Sequence, residues 1–420
     1  MPFKSIISPK NIITAILLTG STNTFAGILP VGKIINDLTG VDVGTLTVGG
    51  CIRANYVKGD YTDDGTKKTR HRGNNGSLEL DVFRINVDWE KENWLGKAEY
   101  RWYDGYNFFH TAWLGYNFDE NTQIQVGLNR VPFGVGAYGP ANSWFFDQHF
   151  YVGLSDDMDM GVKVTHSFNN FKLDLAYYVG AEPSGMGSEV NSGNWTEDSA
   201  RYAYDIVDAG SDNSHYSERN QFNARIIGTF FTNSIPTELG ISLQAGQLQA
   251  GDRSTADDTL AYAVSVHSSS TLGPWNLKLQ LTDYDYRPDY NDPNQSDDLI
   301  HMGAYNYHDA VAASGLIPAA ALSYTIKPKA EWLDSITFYN DISVILKDGK
   351  DNKGKRLNNS TMNVTGAAFA SGGWYMQVDY AYANGNYFVG DDGDDIYDDF
   401  GSNQADDWEG RFNINLGYYF

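Results

Sequence analysis

The sequence contains a single cysteine, Cys51, so an internal disulfide framework cannot stabilise the fold. Positive charge is also scarce, with 30 Lys and Arg against 53 Asp and Glu and a formal net charge of -23. This excess of acid disfavours nucleic-acid binding, because a polyanion would be repelled. After the N-terminus, no run of about 18 apolar residues predicts a transmembrane helix. No cluster of His and Cys indicates zinc or iron, so neither a metal nor a cofactor is predicted.

The N-terminus has the features of a secretory signal peptide. Lys4 and Lys10 precede a short apolar stretch at Ile12–Leu18, and Thr24-Phe25-Ala26 supplies the cleavage positions. The apolar stretch is too short to cross a membrane as a helix. We therefore predict a cleaved signal peptide at residues 1–26 and export of the remaining chain.

The C-terminal segment alternates apolar and polar residues up to the last residue, Phe420. Starting at Phe412, every second residue is aliphatic or aromatic, whereas the positions between include Arg411, Asn413 and Asn415. Such alternation, closing on a terminal aromatic residue, is typical of a lipid-facing strand of an outer-membrane barrel. An amphipathic strand of a soluble sandwich is the alternative, but the same pattern recurs along the whole chain.

About sixteen alternating segments can be recognised, and eighteen is the other even count considered. Short turns such as Asp119-Glu120-Asn121 and Asn169-Asn170 alternate with long loops such as Pro132–Asp157. Leu299–Tyr307 could be a further strand, but an odd count would separate the termini, so we place it in an external loop. The sequence predicts an all-β, transmembrane antiparallel β-barrel with short periplasmic turns and long extracellular loops. Residues 27–44 form a short periplasmic segment, and residues 45–420 form the barrel.

Successive side chains of a strand point to opposite faces, and this alternation, here named strand parity, predicts which side chains line the interior of this barrel. A charge on the lipid-facing side costs about 2–4 kcal/mol, so the many charged strand residues indicate a wet lumen. For each cation, neutralisation by an inward acid is the alternative to contact with a solute. Arg53, Arg225, Lys278 and Arg411 are the better candidates for solute contact, because their neighbours on the same face are not acids. The predicted pore-lining residues are Arg53, Lys97, Glu99, Arg101, Lys163, Arg225, Lys278, Asp341, Asp379 and Arg411.

The loop Pro132–Asp157 is rich in aromatic residues, which would leave apolar surface in water if the loop were exposed. We predict that it folds into the barrel mouth and narrows the pore, and packing on a neighbouring protomer is the alternative. Arg130, Asp147 and His149 would then be the polar groups at the narrowest point. The predicted constriction residues are Arg130, Phe133, Tyr138, Trp144, Asp147 and His149.

The last loop, residues 389–407, is strongly acidic. Calcium is conceivable there because it binds carboxylate oxygens, but the residues are not in the order of a calcium-loop signature. A solvated external face, bridged by divalent ions to anionic lipid headgroups, is the preferred interpretation.

The stretch from Gln125 to Gly134, Gln-Val-Gly-Leu-Asn-Arg-Val-Pro-Phe-Gly, is similar to the strand-to-loop segment of the phosphate-selective porin O/P superfamily. Pro328–Ile342, with Trp332-Leu333, also resembles that superfamily. The resemblance implies a trimeric, sixteen-stranded porin of the Gram-negative outer membrane, with substrates such as phosphate, pyrophosphate and dicarboxylates. The chain departs from the phosphate-specific pattern because no Lys or Arg lies between Pro132 and Asp157.

The sequence thus predicts a passive channel for small hydrophilic solutes. The inward cations favour small anions, whereas the aromatic loop and Trp113 favour sugars. A structural or adhesive barrel is a further alternative. An enzyme is least favoured, although Ser143, Asp147 and His149 lie close together, because no nucleophile-elbow context surrounds them. The expected partners are small solutes, outer-membrane lipid and lipopolysaccharide, and further copies of the chain in a homotrimer, with no nucleic acid.

Overall fold

The computed structural model describes residues 37–38, 40, 42–59, 76–103, 106–183, 186–187, 201–207, 216–251, 255–305, 307–386, 389, 404 and 407–420. The predicted signal peptide and nearly all of the acidic last loop lie outside these residues. Within the described ranges, no helix is both long enough and apolar enough to cross a membrane.

Sixteen antiparallel strands form one closed sheet, which confirms the predicted barrel. The first strand pairs with both the second and the last, for example Ile52 with Tyr418. Two backbone hydrogen bonds between Gly50 and Phe420, of 2.8 and 3.0 Å, complete the closure. The terminal aromatic residue is therefore part of the seam that leaves the sheet without an open edge.

Four shorter strands accompany the barrel. The two-residue β8 adds to β4, whereas β9, β14 and β15 form a separate three-stranded sheet, here named the cap sheet. The cap sheet contains most of Leu299–Tyr307, so the decision to leave that segment out of the barrel wall is confirmed. The strands are β1 (Thr45–Gly59), β2 (Ser77–Lys91), β3 (Trp94–Trp102), β4 (Tyr106–Asn117), β5 (Thr122–Arg130), β6 (Met158–Phe168), β7 (Phe171–Ala181), β8 (Met186–Gly187), β9 (Asp205–Ile206), β10 (Tyr216–Phe230), β11 (Thr237–Ala250), β12 (Thr259–Leu272), β13 (Trp275–Asp285), β14 (Leu299–Ala304), β15 (Tyr307–Ala312), β16 (Ser314–Ile326), β17 (Ser335–Lys347), β18 (Ser360–Ser371), β19 (Trp374–Asn384) and β20 (Trp408–Tyr419).

The connections differ at the two ends of the barrel, as predicted. At one end, here named the turn end, several are tight hairpins, and Asn169, Gly273 and Gly372 hold φ values of 53°, 56° and 54°. Two-residue hairpins require positive φ, which Asn and Gly adopt at low cost. At the other end, named the loop end, lie the long connections, including residues 131–157 and 286–305.

The barrel is apolar outside and polar inside, the reverse of a soluble protein. On β11, Leu239, Ile241 and Leu243 are exposed, whereas Ser242 and Gln244 between them are buried. The same alternation continues on β12, β13 and β20. An apolar exterior of this extent is characteristic of a barrel that lies in lipid.

A β-bulge interrupts the pairing of β2 with β1. Arg53 pairs with Val82 and Ala54 pairs with Leu80, so Asp81 is the extra residue. Beyond it, Arg84 pairs with Arg101 of β3, on the inward face.

Candidate functional site

Residues 132–157, here named the inward loop, leave the loop end of β5 and cross the interior of the barrel. The Arg225 guanidinium on β10 donates to the carbonyl oxygens of Gly134 and Gly136, at 3.3 and 3.4 Å. On the opposite wall, Asp341 of β17 accepts a hydrogen bond from the Ser143 amide at 2.8 Å. Because β17 lies across the barrel from β5 and β6, these contacts place the loop within the lumen.

The Pro-Phe-Gly segment that opens the loop fits closely against the wall. The Gly134 amide donates to the Ser242 hydroxyl at 3.0 Å, and the Val135 amide donates to Gln280 Oε1 at 2.9 Å. Gly134 has a φ of 64°, and a Cβ there would come within 2.6 Å of the Gln280 amide group. Glycine is therefore required at this position by its φ angle and by the lack of space.

Two buried acids bind the far side of the inward loop. Asp341 accepts hydrogen bonds from the backbone and side-chain nitrogens of Asn142, at 2.7 and 2.9 Å, as well as from Ser143. Asp379 of β19 accepts from the Trp144 amide at 3.1 Å. A carboxylate that accepts amide hydrogen bonds forms stronger bonds than a neutral acceptor, so these acids fix the position of the loop.

Cations predicted to line the pore also contact this loop. Lys278 Nζ lies 3.3 Å from Asn142 Oδ1, and Lys163 Nζ donates to the Arg130 carbonyl oxygen at 2.7 Å. Arg411 is buried, with its guanidinium carbon 5.4 Å from the centre of the Phe145 ring. Parity thus gave the correct face for these residues, but they touch protein there.

The interpretation that Arg53 and Arg225 lack acidic neighbours is wrong. Arg225 forms an ion pair of 2.8 Å with Asp174, its cross-strand partner on β7. Arg53 forms an ion pair of 2.8 Å with Asp81, the bulge residue of β2. Neighbours on the same strand could not reveal these acids, because they come from adjacent strands.

A second group of cations lies on the wall beside the base of the inward loop, where Arg130 donates to the Ala137 carbonyl oxygen at 2.7 Å. We name it the arginine wall: Arg53, Arg84, Arg101 and Arg130, on β1, β2, β3 and β5. Arg101 is buried and holds Glu99 at 2.6 Å, and Arg84 reaches the same carboxylate at 3.3 Å. Lys97 lies on the same face of β3 and pairs with Asp88 at 3.1 Å.

Three cations of the arginine wall, Arg53, Arg84 and Arg130, are more exposed than the acids they pair with, whereas Arg101 is slightly less exposed than Glu99. Arg53 and Arg84 are each 22% exposed, against 8% for Asp81 and 10% for Glu99. Arg130 is 25% exposed, whereas its partner Asp156 is fully buried. At the Arg53, Arg84 and Arg130 pairs, the part that remains exposed therefore belongs more to the cation than to the acid.

Comparison with solved structures identifies the architecture, although no protein-family profile and no curated protein sequence matches the chain. The outer-membrane channel DcaP of Acinetobacter baumannii matches with a TM-score of 0.55 at 12% identity, over 90% of this chain and 99% of that one. OmpT of Vibrio cholerae, in its trimer form, matches with a TM-score of 0.53 at 15% identity, over 90% and 100%. The anion-selective porin of Comamonas acidovorans gives 0.51 at 9% identity, over 90% and 99%.

The fold is that of the outer-membrane porins. At these identities the likeness concerns the fold alone. The solute preference of this chain therefore has to be inferred from its own side chains. Tyr138 and Trp144 of the inward loop are partly buried, and Arg130 lies over the Tyr138 ring at 4.9 Å. Arg130, Tyr138 and Trp144 are the predicted constriction residues that keep access to solvent.

The predicted position of Asp147 and His149 at the narrowest point is wrong. The His149 ring is fully buried, and its Nδ1 lies 2.6 Å from the Asp147 carboxylate. Its Nε2 lies 2.8 Å from the Thr282 hydroxyl of β13. The order Thr-His-Asp is that of a catalytic triad, but all three side chains are buried between loop and wall. They link the loop to the wall at a place that a solute cannot reach.

The aromatic residues of the inward loop pack beneath the cap sheet. Phe133, Phe145, Phe150 and Tyr151 are buried and join one apolar cluster with residues of the cap sheet such as Met302. The sequence signal that predicted an inward loop therefore has a simple cause, since these rings are removed from water by packing. Few of them offer a free face to a sugar.

Sequence reasoning missed the neutral wall residues that hold the loop. Ser242, Gln280, Thr282 and Ser343 each bond to it, the last by accepting from the Gln148 amide at 3.0 Å. The available signal was their position on the inward face of β11, β13 and β17. Small polar residues there are equally consistent with a water-lined wall, so the pattern does not distinguish the two roles.

Proposed function

We propose that this protein is a passive diffusion channel of the Gram-negative outer membrane for small hydrophilic solutes. The observation that carries the proposal is the partial exposure of charged side chains inside a barrel whose exterior is apolar. Arg53, Arg84 and Lys97 keep 22%, 22% and 39% exposure on the face opposite the apolar exterior. Water therefore reaches the lumen beside β1, β2 and β3, which is the property a diffusion pore needs.

We further propose a preference for small anions such as carboxylates. The support is the position of the acids that pair with Arg53, Arg84 and Arg130, which are more buried than these three guanidinium groups. Guanidinium groups bind carboxylate and phosphate by paired hydrogen bonds, so a row of them assists the passage of such anions. The resemblance to the phosphate-selective porin O/P superfamily agrees with this preference and stays a prediction.

A sugar-preferring pore is the runner-up within the same class. It requires aromatic rings with a free face, and the partly buried Trp113, Tyr138 and Trp144 are the available ones. An adhesive or purely structural barrel is supported by the long connections at the loop end. An enzyme has the least support, because the Thr282-His149-Asp147 set is inaccessible.

The proposed setting follows from the exterior of the barrel. The apolar band would contact lipid, and the loop end would face outward toward lipopolysaccharide, with export through the signal peptide at residues 1–26. We also propose a homotrimer, by analogy with OmpT of Vibrio cholerae, which was solved in a trimer form. Cross-linking of the protein in outer-membrane vesicles tests the assembly.

Planar-bilayer recordings of the purified protein test the function. We expect stepwise conductance and, in a KCl gradient, a reversal potential of the sign that chloride permeation gives. Addition of a dicarboxylate should reduce the chloride current, whereas a neutral disaccharide should not. Absence of conductance would favour the structural barrel, and a cation-selective reversal potential would contradict the anion preference.

A further inference from the structure

Four buried carboxylates meet at the loop end of the barrel, away from the arginine wall. They are Asp157 at the end of the inward loop, Asp159 on β6, Glu182 just after β7 and Asp205 on β9. One carboxylate oxygen from each lies within 4.8 Å of those of the other three. The four residues are only 4%, 1%, 2% and 1% exposed, so water does not solvate them as it does a surface cluster.

Three of these carboxylates hold an oxygen that is unused by the protein. Asp157 Oδ1, Asp159 Oδ1 and Glu182 Oε2 are buried and have no hydrogen-bond partner among the residues that the structure describes. The other oxygens of two of these carboxylates accept hydrogen bonds from the protein. Asp159 Oδ2 accepts from the side-chain Nε2 of Gln221 at 2.9 Å, and Glu182 Oε1 accepts from the backbone N–H of Ala203 at 2.8 Å. The unused oxygens are therefore free to bind a ligand.

The charge of the cluster is only partly compensated. Arg201 pairs with Asp205 at 3.2 Å, and among the residues that the structure describes no cation forms an ion pair with the other three carboxylates. A buried carboxylate without a partner costs several kcal/mol, so this arrangement needs either protons or a cation. Burial, and then the neighbouring carboxylates, raise the pKa of Asp157 and of Glu182 well above the ordinary range. The raised pKa reflects the unfavourable free energy of buried, mutually repelling carboxylates, which a bound divalent cation would also relieve.

We propose that Asp157, Asp159, Glu182 and Asp205 form a calcium site. Calcium binds carboxylate oxygens at about 2.3–2.6 Å with six to eight ligands, so oxygens on opposite sides of the ion are about 5 Å apart. The separation of at most 4.8 Å matches that span. Magnesium requires a tighter octahedron, with ligands at about 2.0–2.1 Å, and retains several waters. Four converging carboxylates in a dry site suit the larger ion.

The site would join parts of the chain that are far apart in sequence. The Asp157 carbonyl oxygen accepts a hydrogen bond from the Val131 amide at 3.0 Å, which closes the base of the inward loop. Asp205 belongs to the cap sheet, where β9 pairs with Met302 of β14. A calcium ion here would fasten the cap sheet to the barrel wall and to the inward loop. This inference does not depend on conduction, because the site lies in packed protein.

Calcium binding to the purified, folded full-length chain tests the proposal. After treatment with EGTA and dialysis, the protein is titrated with CaCl2 and with MgCl2 by calorimetry. Tb3+ luminescence, excited through tyrosines such as Tyr204 beside Asp205, reports the same site directly. We expect one tight calcium ion per chain, with magnesium at least about tenfold weaker. Asp159→Asn should weaken calcium at least about tenfold, whereas Asp348→Asn, an exposed acid at the same end, should not.

The outcomes separate calcium from protons and from other acidic segments. Asp159→Asn removes buried negative charge, so the calcium-free variant should fold, which heat-modifiable migration on a gel checks. Glu182→Gln repeats the test from another element if Asp159→Asn fails to fold. Absence of binding at millimolar calcium would show that protons neutralise the cluster and would overturn the proposal. Equal calcium affinity in the wild type, in Asp159→Asn and in Glu182→Gln would overturn it too, because the ion would then bind elsewhere.

Discussion

The two halves of the barrel interior are built from the same alternation and serve different purposes. On the half formed by β10 to β20, here named the covered half, inward polar residues such as Gln280, Asp341 and Asp379 are buried against the inward loop. On the half formed by β1 to β5, here named the uncovered half, Arg130 bonds to the base of the loop, but Arg53 and Arg84 keep part of their surface in solvent. Strand alternation predicts the same inward direction for both sets of residues. They differ in exposure because the inward loop buries the first set.

This difference shows that an inward polar residue has two ways to satisfy its hydrogen bonds. Residues on the covered half bond to the loop backbone, whose amides and carbonyls would otherwise be buried without partners. Residues on the uncovered half, such as Arg53 and Arg84, bond to acids on adjacent strands and keep part of their surface exposed. Selectivity is therefore expected to depend on the second set, and pore width on the first.

Release of the inward loop should produce the largest change. The double substitution Asp341→Ala/Asp379→Ala removes the acceptors for the amides of Asn142, Ser143 and Trp144. Because charged hydrogen bonds contribute about 1.5–3 kcal/mol each, the loss of these three should lower the free energy of unfolding by roughly 4.5–9 kcal/mol. Single-channel conductance should rise roughly twofold with more noise, as the loop no longer narrows the lumen.

The matched control is Asp348→Ala, because this side chain is 71% exposed at the loop end. It should leave both the conductance and the urea unfolding curve close to those of the wild type. If the double variant conducts like the control, the covered half does not set the pore width.

Substitution in the arginine wall should change selectivity with little effect on conductance. Arg53→Gln/Arg84→Gln removes two partly exposed cations from the uncovered half. A charge beside a narrow pore acts on passing ions through a screened potential, so the anion-to-cation permeability ratio should fall roughly two- to threefold. Reversal potentials in a salt gradient measure this ratio.

Arg411→Gln is the comparison on the covered half. Arg411 is 1% exposed beneath Trp144 and Phe145, so its loss should alter stability and leave the reversal potential unchanged. An equal shift from Arg411→Gln would mean that the two halves contribute alike to the field in the pore, and the distinction between them would be lost.

The sequence contains enough information for the barrel and for the direction of most side chains. Period-two alternation predicts the strands, and it put Glu99, Arg101 and Arg411 inside, where the structure has them. The reason is that a register error of one residue would move every apolar side chain away from lipid. Each strand therefore carries its own pattern of apolar outward residues and polar inward residues.

What each inward residue contacts could not be predicted in the same way. Arg225 meets Asp174, 51 positions away, and Asp341 meets Ser143, 198 positions away. His149 was predicted at the opening, yet it is buried against Thr282. Such contacts depend on the path of the inward loop, for which no local periodicity exists. The carboxylates of the proposed calcium site also come from separate segments, so spacing along the chain does not reveal them.

The smallest effect on conduction is expected from Thr282→Val, which tests whether the buried Thr282-His149-Asp147 set is structural. The substitution keeps the shape of the side chain and removes the hydroxyl that His149 Nε2 contacts at 2.8 Å. Because a buried nitrogen then loses its partner, the free energy of unfolding should fall by about 1–3 kcal/mol. Conductance and reversal potential should stay at the wild-type values, since the set lies behind the loop.

Thr229→Val, at a partly buried position near the turn end of β10, is the matched control and should unfold like the wild type. The purified protein should hydrolyse a chromogenic ester no faster than the Thr282→Val variant does. A hydrolytic rate that disappears only in Thr282→Val would make the set catalytic. The covered half of the interior would then need an access path to His149, which is fully buried in this structure.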